Sequence, residues 1–181
     1  ENDFKNKFPK CYAYLLTEKE NLLARDKGKV NFDPFFVWGR TQGLTRIGKK
    51  ILNPTFSLHP RFLLVEEHEA FFTNGYGLFI REPEIQGLFN EPVNPISKLE
   101  NIDVVQKILN SCVMDYYVTK TSVAIEGGYP CYQKNFIEKF TIPELTEEEV
   151  KLIRSLKDPI EIDKFLIAKY HLNLPVPNLV E

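Results

Sequence analysis

The chain has 181 residues, enough for one domain or for a domain with a small appendage. With 43% hydrophobic and 13% aromatic residues it has the material for a real core, which argues against a disordered chain. A formal charge of −2 excludes a globally basic binder of polyanions, but that value conceals a division along the sequence. From Lys5 to Arg61 there are 12 Lys and Arg against 4 Asp and Glu, a balance of +8; from Phe62 to Glu181 there are 11 against 19, a balance of −8. A basic N-terminal third on a near-neutral chain predicts a local polyanion-facing surface, the alternative being a solvated surface of uneven charge.

Three cysteines (Cys11, Cys112, Cys131) lack C-x-x-C spacing, and none of the three histidines (His59, His68, His171) clusters with one, so a zinc site has little basis and reduced thiols are expected. No signal peptide and no apolar run of membrane-spanning length is apparent, so the expected location is cytoplasmic. The opening Glu1-Asn2-Asp3, without an initiator Met, suggests a piece excised from a longer chain.

In chain order, Tyr12, Leu15, Leu16, Leu22 and Leu23 keep helical spacing within Phe8 to Asp26 and predict a helix, followed by the basic loop Arg25-Asp26-Lys27-Gly28-Lys29. Residues Phe32 to Ile80 read differently. Short apolar runs at Phe35–Trp38, Arg61–Val65, Ala70–Phe72 and Gly77–Ile80 are separated by Gly, Pro and Asn, which predicts a strand-rich, loop-rich sheet. Glu82 to Pro95 holds three prolines and reads as a connector. Helical spacing returns from Ile102 to Tyr117 for about four turns. After Gly127-Gly128 comes an extended segment through Phe136-Ile137 and Phe140-Thr141-Ile142-Pro143. Thr146 with Glu149 forms a capping box for one further helix, and Asp158-Pro159 with Glu161 opens the last. The expected fold is α+β: a strand-rich central sheet flanked by helices, with two C-terminal helices. The expected division is an α+β domain over residues 1–145 and a helical appendage over 146–181.

Catalytic patterns are weak. Asn53-Pro54-Thr55-Phe56 resembles the Asn-Pro-Pro-aromatic turn of adenine methyltransferases, but it lacks the second proline and has no glycine-rich cofactor loop, so a turn beside a strand is the better reading. Glu149-Val150-Lys151 has the spacing of a nuclease Glu-x-Lys pair, yet it sits in an acidic helix start that suits the helix dipole. Phosphate loops, nucleophile elbows and metalloprotease helices are not found. His68, among Glu66, Glu67 and Glu69, reads as an exposed turn between strands or a pH-sensitive or metal-binding cluster.

The residues that do suit nucleic acid gather between Lys27 and Lys50. Lys27 and Lys29 flank Gly28, Arg40 and Gln42 sit on the glycine-bounded loop Gly39–Gly43, and Arg46, Lys49 and Lys50 follow. Arg and Gln present two-pronged hydrogen-bonding heads that match guanine and adenine edges, and lysines beside glycines can approach phosphates. Each has a plainer alternative in ordinary surface polarity, and Trp38 with the nearby phenylalanines reads as core. A second patch is Tyr129, Tyr132, Gln133, Lys134 and Asn135, after Gly127-Gly128, whose alternative is a turn feeding a strand.

These segments follow a familiar order. Phe8-Pro9-Lys10-Cys11-Tyr12-Ala13-Tyr14-Leu15-Leu16, Arg25-Asp26-Lys27-Gly28-Lys29, Trp38-Gly39-Arg40-Thr41-Gln42-Gly43-Leu44 and Lys49-Lys50-Ile51-Leu52-Asn53-Pro54-Thr55-Phe56 together resemble the TaqI-like C-terminal specificity domain of type IIG restriction enzymes and their adenine-N6 DNA methyltransferase relatives. Ile108-Leu109-Asn110-Ser111, Gly127-Gly128-Tyr129 and Phe140-Thr141-Ile142-Pro143 resemble the second half of such domains, and the likeness runs from Phe8 to about Tyr170. The resemblance implies a non-catalytic target-recognition domain. Its partners would be duplex DNA and a methyltransferase domain of the same parent chain, with no membrane. It would hold no cofactor of its own, S-adenosylmethionine and magnesium belonging to the parent's catalytic parts. A protein-interaction module, an RNA-binding domain or a compact nuclease are the rival readings.

Overall fold

Proline at position 9 has no backbone N–H to give to a preceding turn, so one helix ends before it and the next starts on it. The computed structural model describes residues 1–39, 46–72, 74–81 and 94–175. After α1 (Asn2–Lys7), the single helix expected from Phe8 to Asp26 is two, α2 (Pro9–Thr17) and α3 (Lys19–Leu23), ending in a 3-10 turn at Arg25–Gly28. These belong to one compact unit, Glu1–Thr45, and the remainder, Arg46–Glu181, forms a second.

The first unit is held by aromatic rings. Phe4 stacks on Phe36 at 4.9 Å, and Phe36 also meets Phe35 and Tyr12 edge-on at 5.1 and 6.1 Å. Only Tyr12, Phe32 and Phe35 are buried among its described residues. Phe35–Trp38, expected to be a strand, is a turn. Its carbonyls are already engaged: the Arg25 guanidinium donates from Nη2 to Phe35 O and from Nη1 to Val37 O, both at 2.9 Å, while lying 4.1 Å over the Phe32 ring. Arg25 therefore ties this loop to the end of α3 and occupies the carbonyls along one edge of the run.

In the second unit β1 (Lys50–Asn53) lies between β2 (Leu63–Val65) and β3 (Tyr76–Leu78), antiparallel to both. Ile51 pairs with Leu64 on one side and Leu78 on the other. Gly75 enters β3 with φ +82°, and a Cβ there would lie 2.4 Å from the Asn53 carbonyl oxygen, so the Asn74-Gly75 turn requires glycine. The fold is α+β as expected, but the expected richness in strands is overstated. Among the described residues there are eight α-helices and three short strands. Ala70–Phe72 is not a strand, and the Ala70 carbonyl accepts instead from Lys50 Nζ at 2.6 Å.

The long central helix is two: α4 (Ile102–Leu109) and α5 (Cys112–Thr121). The break at Asn110-Ser111 has a clear use. Asn110 Oδ1 accepts from Phe62 N and its Nδ2 donates to Phe62 O, both at 2.8 Å, and Gln106 Nε2 adds a second donor to Phe62 O. This clamp seats Phe62, buried to 2% exposure, in the core edge-on to Tyr132. Lys134–Ile137, expected to be extended, forms a short helix, α6, closed by Phe136 and Ile137 N–H groups donating to Gln133 O.

The last two helices are α7 (Glu147–Ser155), with the Thr146–Glu149 capping box in place, and α8 (Pro159–Lys169), with Asp158 accepting from Ile160 N. Val150, Ile153, Ile162 and Leu166 lie in the same core as Ile51, Phe62, Val104 and Ile108, α7 packs on α4, and α8 packs on α4 and α5. Polar groups lock these junctions. Lys107 Nζ donates to the carbonyls of Ile153, Arg154 and Leu156, closing the C-terminus of α7, and Asp163 Oδ1 accepts from Cys112 N at the start of α5. No helix among the described residues is long and apolar enough to cross a membrane.

Candidate nucleic-acid interface

The basic segment is divided between the two units. In the first, Asp26 and Lys27 both take left-handed backbone angles (φ 51° and 58°), and Gly28 follows at φ 67°. Left-handed backbone costs a non-glycine residue about 1–2 kcal/mol, so two in succession mark a turn that local preference alone would not select. Lys29 N closes it by donating to Asp26 O at 3.2 Å. Lys27 and Lys29 are exposed, and among the described residues no carboxylate pairs with either. Arg40 and Gln42 lie outside the described residues.

In the second unit Arg46 is exposed, its guanidinium 5.6 Å from the Phe79 ring centroid. Lys49 pairs with Glu66 at 3.2 Å, its side chain 43% exposed and that of Glu66 69% exposed. A pair so open to solvent is worth at most about 1 kcal/mol, and a phosphate can replace the carboxylate. Lys50, expected to face a phosphate, is buried. Its residue exposure is 0% and its ammonium is spent on the Ala70 carbonyl, so it holds the loop after β2 and cannot meet a phosphate in this arrangement. Both faces of β1 are covered, Ile51 in the core at 1% exposure and Lys50 on the opposite face held to the Ala70 loop, whereas Lys49 precedes the strand and stays exposed.

The second patch is exposed only in part: Tyr132, expected in it, is 1% exposed and belongs to the core. Ala124 bridges Pro130, and Ile125 N donates to Tyr129 O, forming a small loop around Gly127 and Gly128. Tyr129 is 42% exposed at its end. Gln133 caps α6 and is half-buried, and Lys134, with a side chain 77% exposed, lies 3.8 Å from Glu138 one turn on.

Asn53 is buried; its Nδ2 donates to Pro54 O and Tyr132 O, both at 3.1 Å, and Tyr132 N donates to Thr55 O. The Asn-Pro-Thr-Phe turn is thus packed against Cys131-Tyr132. Glu149 is committed to structure, taking Lys169 Nζ at 2.8 and 3.0 Å and Thr146 N at 2.9 Å. The hydrogen bond from Lys169 leads in holding its carboxyl below the usual range, followed by that from the Thr146 backbone. His68 lies in an exposed turn between β2 and β3, its carbonyl accepting from Gly48 N. Among the described residues no cluster of three His, Cys, Asp or Glu is placed to hold a metal ion. The three thiols are free; that of Cys112, pushed up to about 12 by burial and then by Asp163, is a poor nucleophile.

Two residues with organising roles were not singled out in the sequence. Arg25 reads as one more charge in a basic stretch, and only its fork of hydrogen bonds shows that it shapes the loop carrying Trp38. Asn110 reads as part of a helix, and its meaning depends on a partner 48 residues away. Comparison with protein-family models and with curated proteins finds no match for this chain.

Proposed function

We propose that the chain is a DNA target-recognition domain of the TaqI-like kind, which binds duplex DNA and leaves methyl transfer or cleavage to another part of its parent protein. The observation that carries this reading is the strained left-handed turn Asp26-Lys27-Gly28, which projects Lys27 and Lys29 with no carboxylate partner among the described residues. Strain is retained where surrounding structure and use require it, and free cations beside a glycine are suited to phosphates. Arg46 and Lys49 supply further exposed cations in the second unit, and Tyr129, Gln133 and Lys134 a polar patch of mixed donors. Arg40 and Gln42 remain the residue types best suited to base edges. Lys50 has no part in it.

The test is selection from a pool of random duplexes by the 181-residue chain at low and at physiological salt. Enrichment of one short motif supports target recognition. Retention of duplex without any enriched motif would leave only charge-driven binding and overturn the specificity reading, and preference for single-stranded RNA would overturn the duplex itself.

A further inference from the structure

An aromatic groove of about 350 Å³ opens in the second unit between α5, the Lys139–Thr141 segment and the end of α8. None of its residues enters the recognition reading above, and the inference does not depend on that reading. Its wall is a ladder of rings: Tyr117 meets Phe140 at 5.2 Å and Phe140 meets Tyr170 at 5.9 Å. The two hydroxyls are anchored to backbone carbonyls, Tyr117 donating to Phe136 O at 3.1 Å and Tyr170 to Thr141 O at 2.7 Å, so the rings are fixed and their faces are apolar. Tyr116, on the preceding position of α5, is 41% exposed at the groove's edge.

Packing of α8 on α5 accounts for the ladder but not for the cations at its rim. Lys120 and Lys139 both line the groove. Among the described residues no carboxylate pairs with either, and the Lys120 ammonium instead lies 5.7 Å from the Tyr116 ring centroid. No acidic side chain among the described residues lines the groove. Fixed aromatic faces favour a flat ring system, and two unneutralised ammonium groups favour an anion attached to it. A groove of this volume falls at the small end of ligand sites, where one mononucleotide fits and a longer ligand must project into solvent.

From this geometry we infer that the groove formed by Tyr116, Tyr117, Phe140 and Tyr170 binds a single nucleotide, its base against the rings and its phosphate between Lys120 and Lys139. The nucleotide has two possible sources: a free mononucleotide, or one unstacked base of a strand. The base is held by stacking, which every base offers, so discrimination among bases is weak.

The probe is adenosine 5′-monophosphate, followed by amide chemical shifts of the full chain, with adenosine and ribose 5-phosphate as controls. The expected result is perturbation confined to residues around Tyr116–Thr121 and Lys139–Thr141, with the monophosphate binding better than either control. The double variant Lys120→Glu/Lys139→Glu, both exposed positions, abolishes the advantage of the monophosphate over adenosine. Tyr116→Ala weakens binding about tenfold, the usual worth of one stacked base. A short oligothymidylate binding more tightly than the monophosphate at the same residues assigns the site to a strand, and equal or weaker binding assigns it to free nucleotide. No perturbation at millimolar monophosphate, or perturbation unaffected by the charge-reversal pair, overturns the inference. Random-duplex selection can fail while this site binds, and the reverse, so the two readings are tested separately.

Discussion

The two units spend their aromatic residues differently. In Arg46–Glu181, Phe62 and Tyr132 are sunk to 2% and 1% exposure in a core to which both sheet and helices contribute. In Glu1–Thr45, Phe4, Phe35, Phe36 and Tyr12 form a cluster of rings around short helices, while Phe8, Tyr14 and Trp38 are left exposed. The second unit is built by burial, with each polar break (Asn110, Lys107, Asp163) satisfied by a partner far along the chain. The first is built by local packing and keeps a strained basic turn. Under the proposed function, the well-buried body is the support and the lightly buried unit with its basic turn is the part that meets DNA.

The comparison is broken most directly by truncating each core. Leu166→Ala, at 0% exposure, should cost the second unit about 2–5 kcal/mol, read as a lowered denaturation midpoint with loss of chemical-shift dispersion across α4, α5 and α8. Phe35→Ala should instead loosen the first unit alone, leaving signals from Ile108, Ile153 and Leu166 unmoved. A single transition shifted equally by both substitutions would contradict the contrast.

A smaller effect is expected from Asn110→Ala, which removes both clamps on the Phe62 backbone and leaves its buried groups short of partners. The destabilisation should be about 1–3 kcal/mol in urea unfolding, and Asn110→Asp should recover only the part due to the Phe62 N–H. A variant with wild-type stability would mean that Gln106 suffices.

The smallest is the ion pair that joins α4 to α7. Arg154 donates from Nε to Asp103 at 2.8 Å and from Nη2 at 3.0 Å, and this hydrogen bonding leads in holding the Asp103 carboxyl below its ordinary value. A depressed carboxylate stabilises the fold above its unfolded pKa and loses that contribution as pH falls through the folded one. The gap in melting temperature between the wild type and Asp103→Asn should therefore be largest near neutrality and close in acid. Because the pair is partly solvent-exposed, the gap should also shrink with salt.

What could be read from the sequence follows the range of the forces involved. The capping box at Thr146 and Glu149, the Asp158-Pro159 start and the apolar stripe of α4 are local, and they are found where periodicity and capping place them. The run Phe35–Trp38 has the composition of a strand, but Arg25 takes its carbonyls, an interaction invisible to composition. The break at Asn110 is likewise decided by tertiary hydrogen bonds, to a residue 48 positions away. Within the candidate interface, the exposure of Lys27, Lys29 and Lys49 agrees with their charge, while the neighbouring Lys50 is buried because the loop at Ala70, 20 residues on, takes its ammonium. The positive φ at Lys27 has no sequence signal at all, since lysine disfavours it.

The central claim, that the basic turn faces a duplex, is tested by the salt dependence of binding. A fluorescent mixed-sequence duplex should be titrated with the wild type and with Lys27→Glu/Lys29→Glu at a series of salt concentrations. The account predicts a steep fall of affinity with salt for the wild type. In the variant it predicts weaker binding and a slope of log K against log salt shallower by about 2, one for each phosphate that a lysine no longer neutralises. Equal slopes, or a wild type that does not bind the duplex even at low salt, would contradict it.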